Sequence, residues 1–293
     1  MKYGIVSRSY GDKTVQETAE FMAAHGYTCT ELCMSHPDFG GWAYNGISEL
    51  DKNGITKELV KEKADIFRAN GIEVTSLGVF TNLLSPDEDF RNKCIESFIR
   101  LMDYAEFAGI KNLSTELGFR PDKRGITTDV YESDFQTLKD SFIVLGNAAK
   151  ERGVNICIEA CVIDVIPSAK RLRDFIRQIY AETGLTNIKV LLDMANFIAN
   201  SDEDDVFKYL TPYIEYFHGK DRKVNDCFGR ILGEGEIDWV KFFENYFRIT
   251  PEIPFILEYT NAATTDLTNE RVRIFTEQAK ANLALKGYDI QGL

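Results

Sequence analysis

The sequence predicts an α/β fold, a (β/α)8 TIM barrel, on three observations. Short β-rich runs alternate with longer amphipathic runs through eight cycles. The amphipathic runs close on glycine, and short G-I or G-V links lead into the next strand, as in AGIKNLS and RGVNICI, which suits the turns of a parallel sheet. Eight such units in 293 residues match the usual size of the barrel. A doubly wound open sheet is the alternative, but no G-x-G-x-x-G follows the first strand to support it. No linker or low-complexity segment divides the chain, so one barrel domain is expected over residues 1–293.

The first half of the barrel is read from YGIVS (3–7), TCTELCM (28–34), EVTSLGVF (73–80) and NLSTELG (112–118). The second half comes from VNICIEA (154–160), IKVLLDM (188–194), IEYFHGK (214–220) and PFILEYT (254–260). The first helices are VQETAEFMAAHG (15–26), ITKELVKEKADIFRANG (55–71), FRNKCIESFIRLMDYAEFAG (90–109) and DFQTLKDSFIVLGNAAKERG (134–153). Each carries apolar residues at three and four spacing and ends in glycine, the favoured helix stop. Two connections are long, 35–54 and 119–133, and both follow strand C-terminal ends, where barrels of this kind build their sites. The first sets Phe39, Trp42 and Tyr44 among glycines, a composition suited to a lid.

Composition excludes several classes. With 44% hydrophobic and 27% charged residues the chain reads as globular, and a net charge of -12 disfavours nucleic acid or an anionic membrane surface as partner. No positive region followed by an apolar stretch opens the sequence, and no segment approaches bilayer length, so a cytoplasmic protein is expected. The six cysteines include two C-x-E-x-C arrangements, Cys29-Glu31-Cys33 and Cys157-Glu159-Cys161, and no C-x-x-C. Cysteines four apart on a strand stand about 13 Å from each other, too far for a disulfide, so they read as small buried hydrophobes. The glutamate between them asks for another explanation.

On the strand period of two, Glu159 shares a face with Asn155 and Cys157. Asp193 shares one with Leu191, and Glu258 with Ile256. His218 sits late in strand seven. Four consecutive strands of a barrel therefore aim three carboxylates and an imidazole at one point on the rim. Three carboxylates together would repel in a low-dielectric site, so a cation is expected among them. One divalent metal ion answers this. Oxygen-rich ligation with one histidine suits Mn²⁺ first, with Mg²⁺, Co²⁺ and Zn²⁺ as alternatives.

The stretches IEAC, LLDMANF, FHGKDRK, GEGEIDW and ILEYT resemble the metal-binding strand ends of the sugar phosphate isomerase/epimerase superfamily, the xylose-isomerase-like barrels. That group includes ketose 3-epimerases, inosose isomerases and dehydratases, and endonuclease IV. The resemblance covers essentially the whole chain and is strongest from residue 154 onward. It implies Glu159, Asp193, His218 and Glu258 as metal ligands, with Glu159 and Glu258 as the catalytic pair that moves protons through an enediolate. Lys220 and Arg222 share strand parity with His218 and are candidates for substrate oxygens. Glu236 is either a support of the site or a helix-start carboxylate before Trp239. The family often has D-x-x-H after strand six, whereas DMAN here puts Asn196 in the histidine's place, a candidate for a sugar hydroxyl that cannot carry a proton.

The implied activity is a metal-dependent isomerase or epimerase of a small polyhydroxy carbonyl compound, with a carbohydrate as partner. The alternative is a lyase using the same enolisation, inosose-dehydratase-like or the barrel subunit of a C-glycoside-cleaving enzyme. A third reading is a barrel that only binds sugar. A homo-oligomer, dimer or tetramer, is implied by analogy, or a hetero-subunit assembly in the lyase case. Three histidines are too few for a trinuclear zinc nuclease. Of the other two, His25 ends a helix and His36 heads the long loop; Glu31 and Glu116 point inward by parity, towards either sugar hydroxyls or an interior polar layer.

Overall fold

Eight strands form in a computed structural model, each inside one of the eight β-rich runs: β1 Tyr3–Ile5, β2 Cys29–Leu32, β3 Glu73–Gly78, β4 Asn112–Thr115, β5 Asn155–Ile158, β6 Ile188–Asp193, β7 Ile214–Gly219 and β8 Phe255–Leu257. The structure describes residues 1–39, 55–120, 123, 125–161, 164–226 and 228–289. The strands pair in chain order, all parallel, and β1 pairs with β8 to close the barrel. The predicted fold class holds.

The helices are α1 Val15–Ala24, α2 Lys57–Ala69, α3 Glu88–Phe107, α4 Tyr131–Glu151, α5 Ala169–Thr183, α6 Met194–Phe197, α7 Glu203–Leu210, α8 Trp239–Ile249 and α9 Thr265–Leu285. Thr14 and Glu17 form a reciprocal capping box at the start of α1. Gly26, Gly71, Gly109 and Gly153 follow the first four helices with φ of 65° to 77°, the left-handed conformation that lets the chain turn back into the sheet. None of the described helices is long and apolar enough to cross a membrane.

The strand period sorts the core into two layers. Val6, Cys29, Cys157, Leu191, Tyr216 and Ile256 pack inside the barrel, while alternate residues such as Ile156, Ile158, Val190, Leu192, Phe255 and Leu257 face the helices. Cys29 and Cys157 are thus interior hydrophobes, and the five described cysteines are free and buried. Around β7, β8 and α8 the outer layer is aromatic: Phe242 meets Phe217 edge-on at 5.6 Å, and Trp239 meets Phe255 at 6.0 Å. Such pairs contribute about 0.5–1.5 kcal/mol each beyond the area they bury.

The strands are shorter at their C-terminal ends than the β-rich runs, because the chain leaves the ladder there to build loops. Glu159 and Glu258 fall just past β5 and β8, yet both stay tied to the neighbouring strand. Glu159 N donates to Thr115 O at 2.9 Å, and Glu258 N donates to Gly219 O at 3.0 Å. Of the proposed lid aromatics, Phe39 is a core residue in the short turn Pro37–Phe39, whereas Trp42 and Tyr44 lie outside the described residues.

Candidate active site and metal centre

Glu159, Asp193, His218 and Glu258 converge as their strand parity requires. One ligand atom from each lies within 4.8 Å of all the others, and all four residues are buried. Asp193 ends β6 and caps α6: its Oδ1 accepts from Ala195 N at 2.9 Å. Register shifts at Thr30/Glu31 and at Val190/Leu191 adjust the strands just below the site.

Two cations from the chain already sit among these carboxylates. Lys220 Nζ is 2.6 Å from Asp193 Oδ2, 2.7 Å from Glu258 Oε2 and 3.4 Å from Glu159 Oε1. Its approach to Asp193 lies off the direction of a hydrogen bond, whereas those to the two glutamates are aligned. Arg8, in the turn Ser7–Tyr10 after β1, forms an ion pair with Glu258 and stacks over Phe80 at 5.8 Å. Asn196 Nδ2 donates to Glu159 Oε1 at 3.0 Å.

This setting moves the proton equilibria. Burial opposes ionisation of Glu159, but Lys220 and His218 outweigh it and hold the carboxyl well below its usual range. Asp193 moves the other way: burial, with Glu159 beside it, raises its pKa despite Lys220. For His218, burial disfavours the charge, yet Glu31 and Glu159 push the imidazole up to about 9. Burial also works against the Lys220 ammonium, and Asp193 and Glu159 keep it charged.

The donor set fits a divalent ion. Both nitrogens of His218 are buried without a hydrogen bond, an arrangement that buried polar atoms avoid unless another partner is intended, and Asp193 Oδ2 has only its ion pair with Lys220. His218 Nδ1 looks towards Glu159 Oε1 at 3.6 Å and Glu258 Oε2 at 3.9 Å. One imidazole nitrogen with three carboxylates is a combination that hard and borderline divalent ions accept.

A cavity of about 470 Å³ opens above the cluster, lined by Arg8, Glu116, Glu159, Lys220, Glu258 and Tyr259 among others. Arg8 and Tyr259 escaped the sequence reading, although Arg8 follows the run YGIVS and Tyr259 lies late in PFILEYT, close to the strand ends that exposed the other site residues. Tyr259 adopts φ 57°. Its ring stands 5.3 Å from Lys220 Nζ, and a Cβ on Gly229 would come within 2.5 Å of it. Glycine at 229 therefore leaves room for this wall.

The remaining candidates separate. Glu116 lines the cavity, whereas Glu31 is fully buried in the barrel interior. Arg222 is buried and Glu236 is exposed, its carboxylate accepting from Val224 N at 2.8 Å; neither is among the residues lining the cavity. The start of α8 is capped by Asp238, not Glu236. Asp221 organises this loop by accepting from Gly233 N, Trp239 Nε1 and its neighbour Arg222 N, at 2.8–2.9 Å. His25 Nδ1 meets Phe21 O at 2.7 Å, and His36 Nδ1 meets Lys13 O at 2.9 Å, both away from the cluster.

Residues 19–280 match the family described as "Xylose isomerase-like TIM barrel". The chain belongs to that family. No curated protein sequence matches it. Among solved structures, a "xylose isomerase-like TIM barrel/4-hydroxyphenylpyruvate dioxygenase fusion protein" superposes with a TM-score of 0.74 at 19% identity, over 99% of this chain. The chain spans only 45% of that longer protein. D-psicose 3-epimerase with D-tagatose from Clostridium cellulolyticum H10 gives 0.71 at 18% identity, over 95% of this chain and 99% of its own. An IOLI protein with a binding zinc atom gives 0.70 at 16% identity, over 99% and 100%. At these identities the likeness is one of fold.

Proposed function

We propose that the protein is a divalent-metal-dependent isomerase or epimerase of a sugar or related polyhydroxy carbonyl compound. The observation that carries this is the buried Glu159, Asp193, His218 and Glu258 cluster, whose two glutamates line an open cavity, with both nitrogens of His218 lacking hydrogen bonds. Those four residues would hold the ion, with Mn²⁺ as the first candidate. The zinc named for the IOLI structure and the epimerase among the solved neighbours agree with this reading.

The ion supplies Lewis-acid polarisation of a carbonyl and charge stabilisation at its oxygen. The chain supplies the proton transfers. Glu159 and Glu258 reach the cavity from β5 and β8, separated around the rim by β6 and β7, so they approach a bound substrate from different sides. One takes the proton from the carbon beside the carbonyl and the other returns it. In the metal-free protein Lys220 and His218 hold the Glu159 carboxyl well below its usual range, and a bound cation would act in the same direction, favouring the form a base requires. Asn196 fixes the direction of its Oε1. Lys220 and Arg8 line the cavity as donors for substrate oxygens. Asn196 acts through Glu159 in this scheme, and Arg222 and Glu236 support the loop that carries Lys220.

A second reading keeps the first proton transfer and continues with loss of a β-leaving group. It is favoured by Asn196, whose amide cannot carry the proton that a histidine there would relay. The test is elemental analysis of the purified protein, then solvent deuterium incorporation into a panel of ketoses and inososes. Bound Mn²⁺, Co²⁺, Mg²⁺ or Zn²⁺ with deuterium exchanged into a recovered sugar supports isomerisation or epimerisation. Exchange accompanied by loss of water or an aglycone selects the lyase. A protein that neither holds metal nor exchanges deuterium refutes both.

A further inference from the structure

Glu31 lies inside the barrel, below the cluster, and belongs to none of the roles assigned above. It is fully buried. Its Oε2 accepts from Tyr216 Oη at 2.5 Å and from Ser114 Oγ at 2.8 Å, and it stands 3.5 Å from His218 Nε2. Cys33 Sγ approaches Oε1 at 3.7 Å. A Cβ on Gly78 would come within 3.1 Å of that same oxygen, so glycine in β3 leaves the space the carboxylate occupies. Residues of β2, β3, β4 and β7 thus build a seat for one carboxylate beside the far nitrogen of one metal-ligand imidazole.

A carboxylate buried to this degree is costly unless it is hydrogen-bonded and paired. Two hydroxyl donors satisfy part of Glu31, and the His218 ring stands beside it as a charge partner at 3.5 Å. Glu31 has no hydrogen to give, so an imidazole facing it presents Nε2 as N–H. In the neutral ring that a metal would bind, the lone pair then belongs to Nδ1, the nitrogen directed at Glu159 and Glu258.

We propose that Glu31 is a positioning residue for the metal centre: it fixes His218 as the Nε2–H tautomer and holds the ring so that Nδ1 is the ligand. This rests on the metal-centre reading given above. Tyr216 and Ser114 act one step further out by clamping Glu31 itself. A carboxylate behind a ligating imidazole raises its basicity and fixes its orientation, and loss of such a partner typically costs 10–100-fold in metal affinity.

The experiment compares the wild-type protein with Glu31→Gln and Tyr216→Phe by titration with Co²⁺, beside thermal melts of the metal-free proteins. Glu31→Gln keeps the shape of the side chain and an acceptor oxygen but removes the charge. About a tenfold or greater loss of Co²⁺ affinity is expected for Glu31→Gln, with a smaller loss for Tyr216→Phe. In the Zn²⁺-loaded protein the His218 Nε2–H proton resonance is expected to move upfield in Glu31→Gln, a change that a packing role alone would not produce. Co²⁺ affinity and that resonance both unchanged in a folded Glu31→Gln protein would overturn the proposal. Should Glu31→Gln fail to fold, unchanged affinity and resonance in Tyr216→Phe overturn it. A wild-type protein that binds no Co²⁺ refutes the metal-centre reading instead.

Discussion

Lys220 Nζ stands 2.7 Å from Glu258 Oε2, placing a buried ammonium where the carboxylates of the cluster face one another. It compensates their charge in the metal-free protein and would compete with any divalent ion for the same oxygens. Breaking a buried pair by removing one partner typically costs about 3–5 kcal/mol. Lys220→Met is therefore expected to destabilise the metal-free protein by a cost of that order and to raise its affinity for Mn²⁺. Thermal melts with and without Mn²⁺ check this. A melting temperature that falls equally in both conditions contradicts the shared-seat interpretation.

Glu159→Gln and Glu258→Gln are each expected to leave the fold intact while lowering turnover by about 10²–10⁴-fold, the usual contribution of a positioned acid or base. Both changes also remove a carboxylate from the proposed metal centre, so metal content measured alongside separates lost ligation from lost proton transfer. Full activity in either variant would remove that residue from the catalytic pair.

Metal binding is expected to strengthen as pH rises to about 9. In the metal-free protein Glu31 and Glu159 overcome the effect of burial and push His218 up to about 9. At neutral pH a metal must therefore displace a proton from the ring. The same raised value gives the sign for stability. The charged imidazole contributes fully below its unfolded value of about 6.5, and that contribution is lost as pH climbs through about 9. Titration calorimetry in buffers of different ionisation heat reports the released proton. A metal affinity independent of pH between 6 and 9 would be inconsistent with a protonated His218.

Gly229→Ala is expected to disturb the substrate wall more than the fold. The new Cβ would meet the Tyr259 ring at 2.5 Å, and the ring must move. A rise in KM of severalfold, about 1 kcal/mol in binding, with little change in melting temperature is the expected outcome. Unchanged KM would show that Tyr259 takes no part in holding the substrate.

Much of this architecture was legible in the sequence because it rests on local, repeating signals. The eight β-rich runs, the glycine stops at Gly26, Gly71, Gly109 and Gly153, and the inward parity of Glu159, Asp193 and Glu258 follow from strand and helix periods. With parallel strands closed in chain order, these residues have to meet at one rim. What the periods leave open is distance across the barrel. Glu31 and Glu116 have the same parity, yet only the packed structure sends one to Tyr216, Ser114 and His218 and the other into the cavity. Likewise, DMAN marks Asn196 as a departure, but its bond to Glu159 depends on how the loops after β5 and β6 come together. Arg8 reads as an ordinary charged residue in the sequence and Lys220 as a candidate for substrate oxygens; their role as counter-ions arises because side chains from the ends of β1, β5, β6, β7 and β8 share one buried site, where charge must be balanced locally.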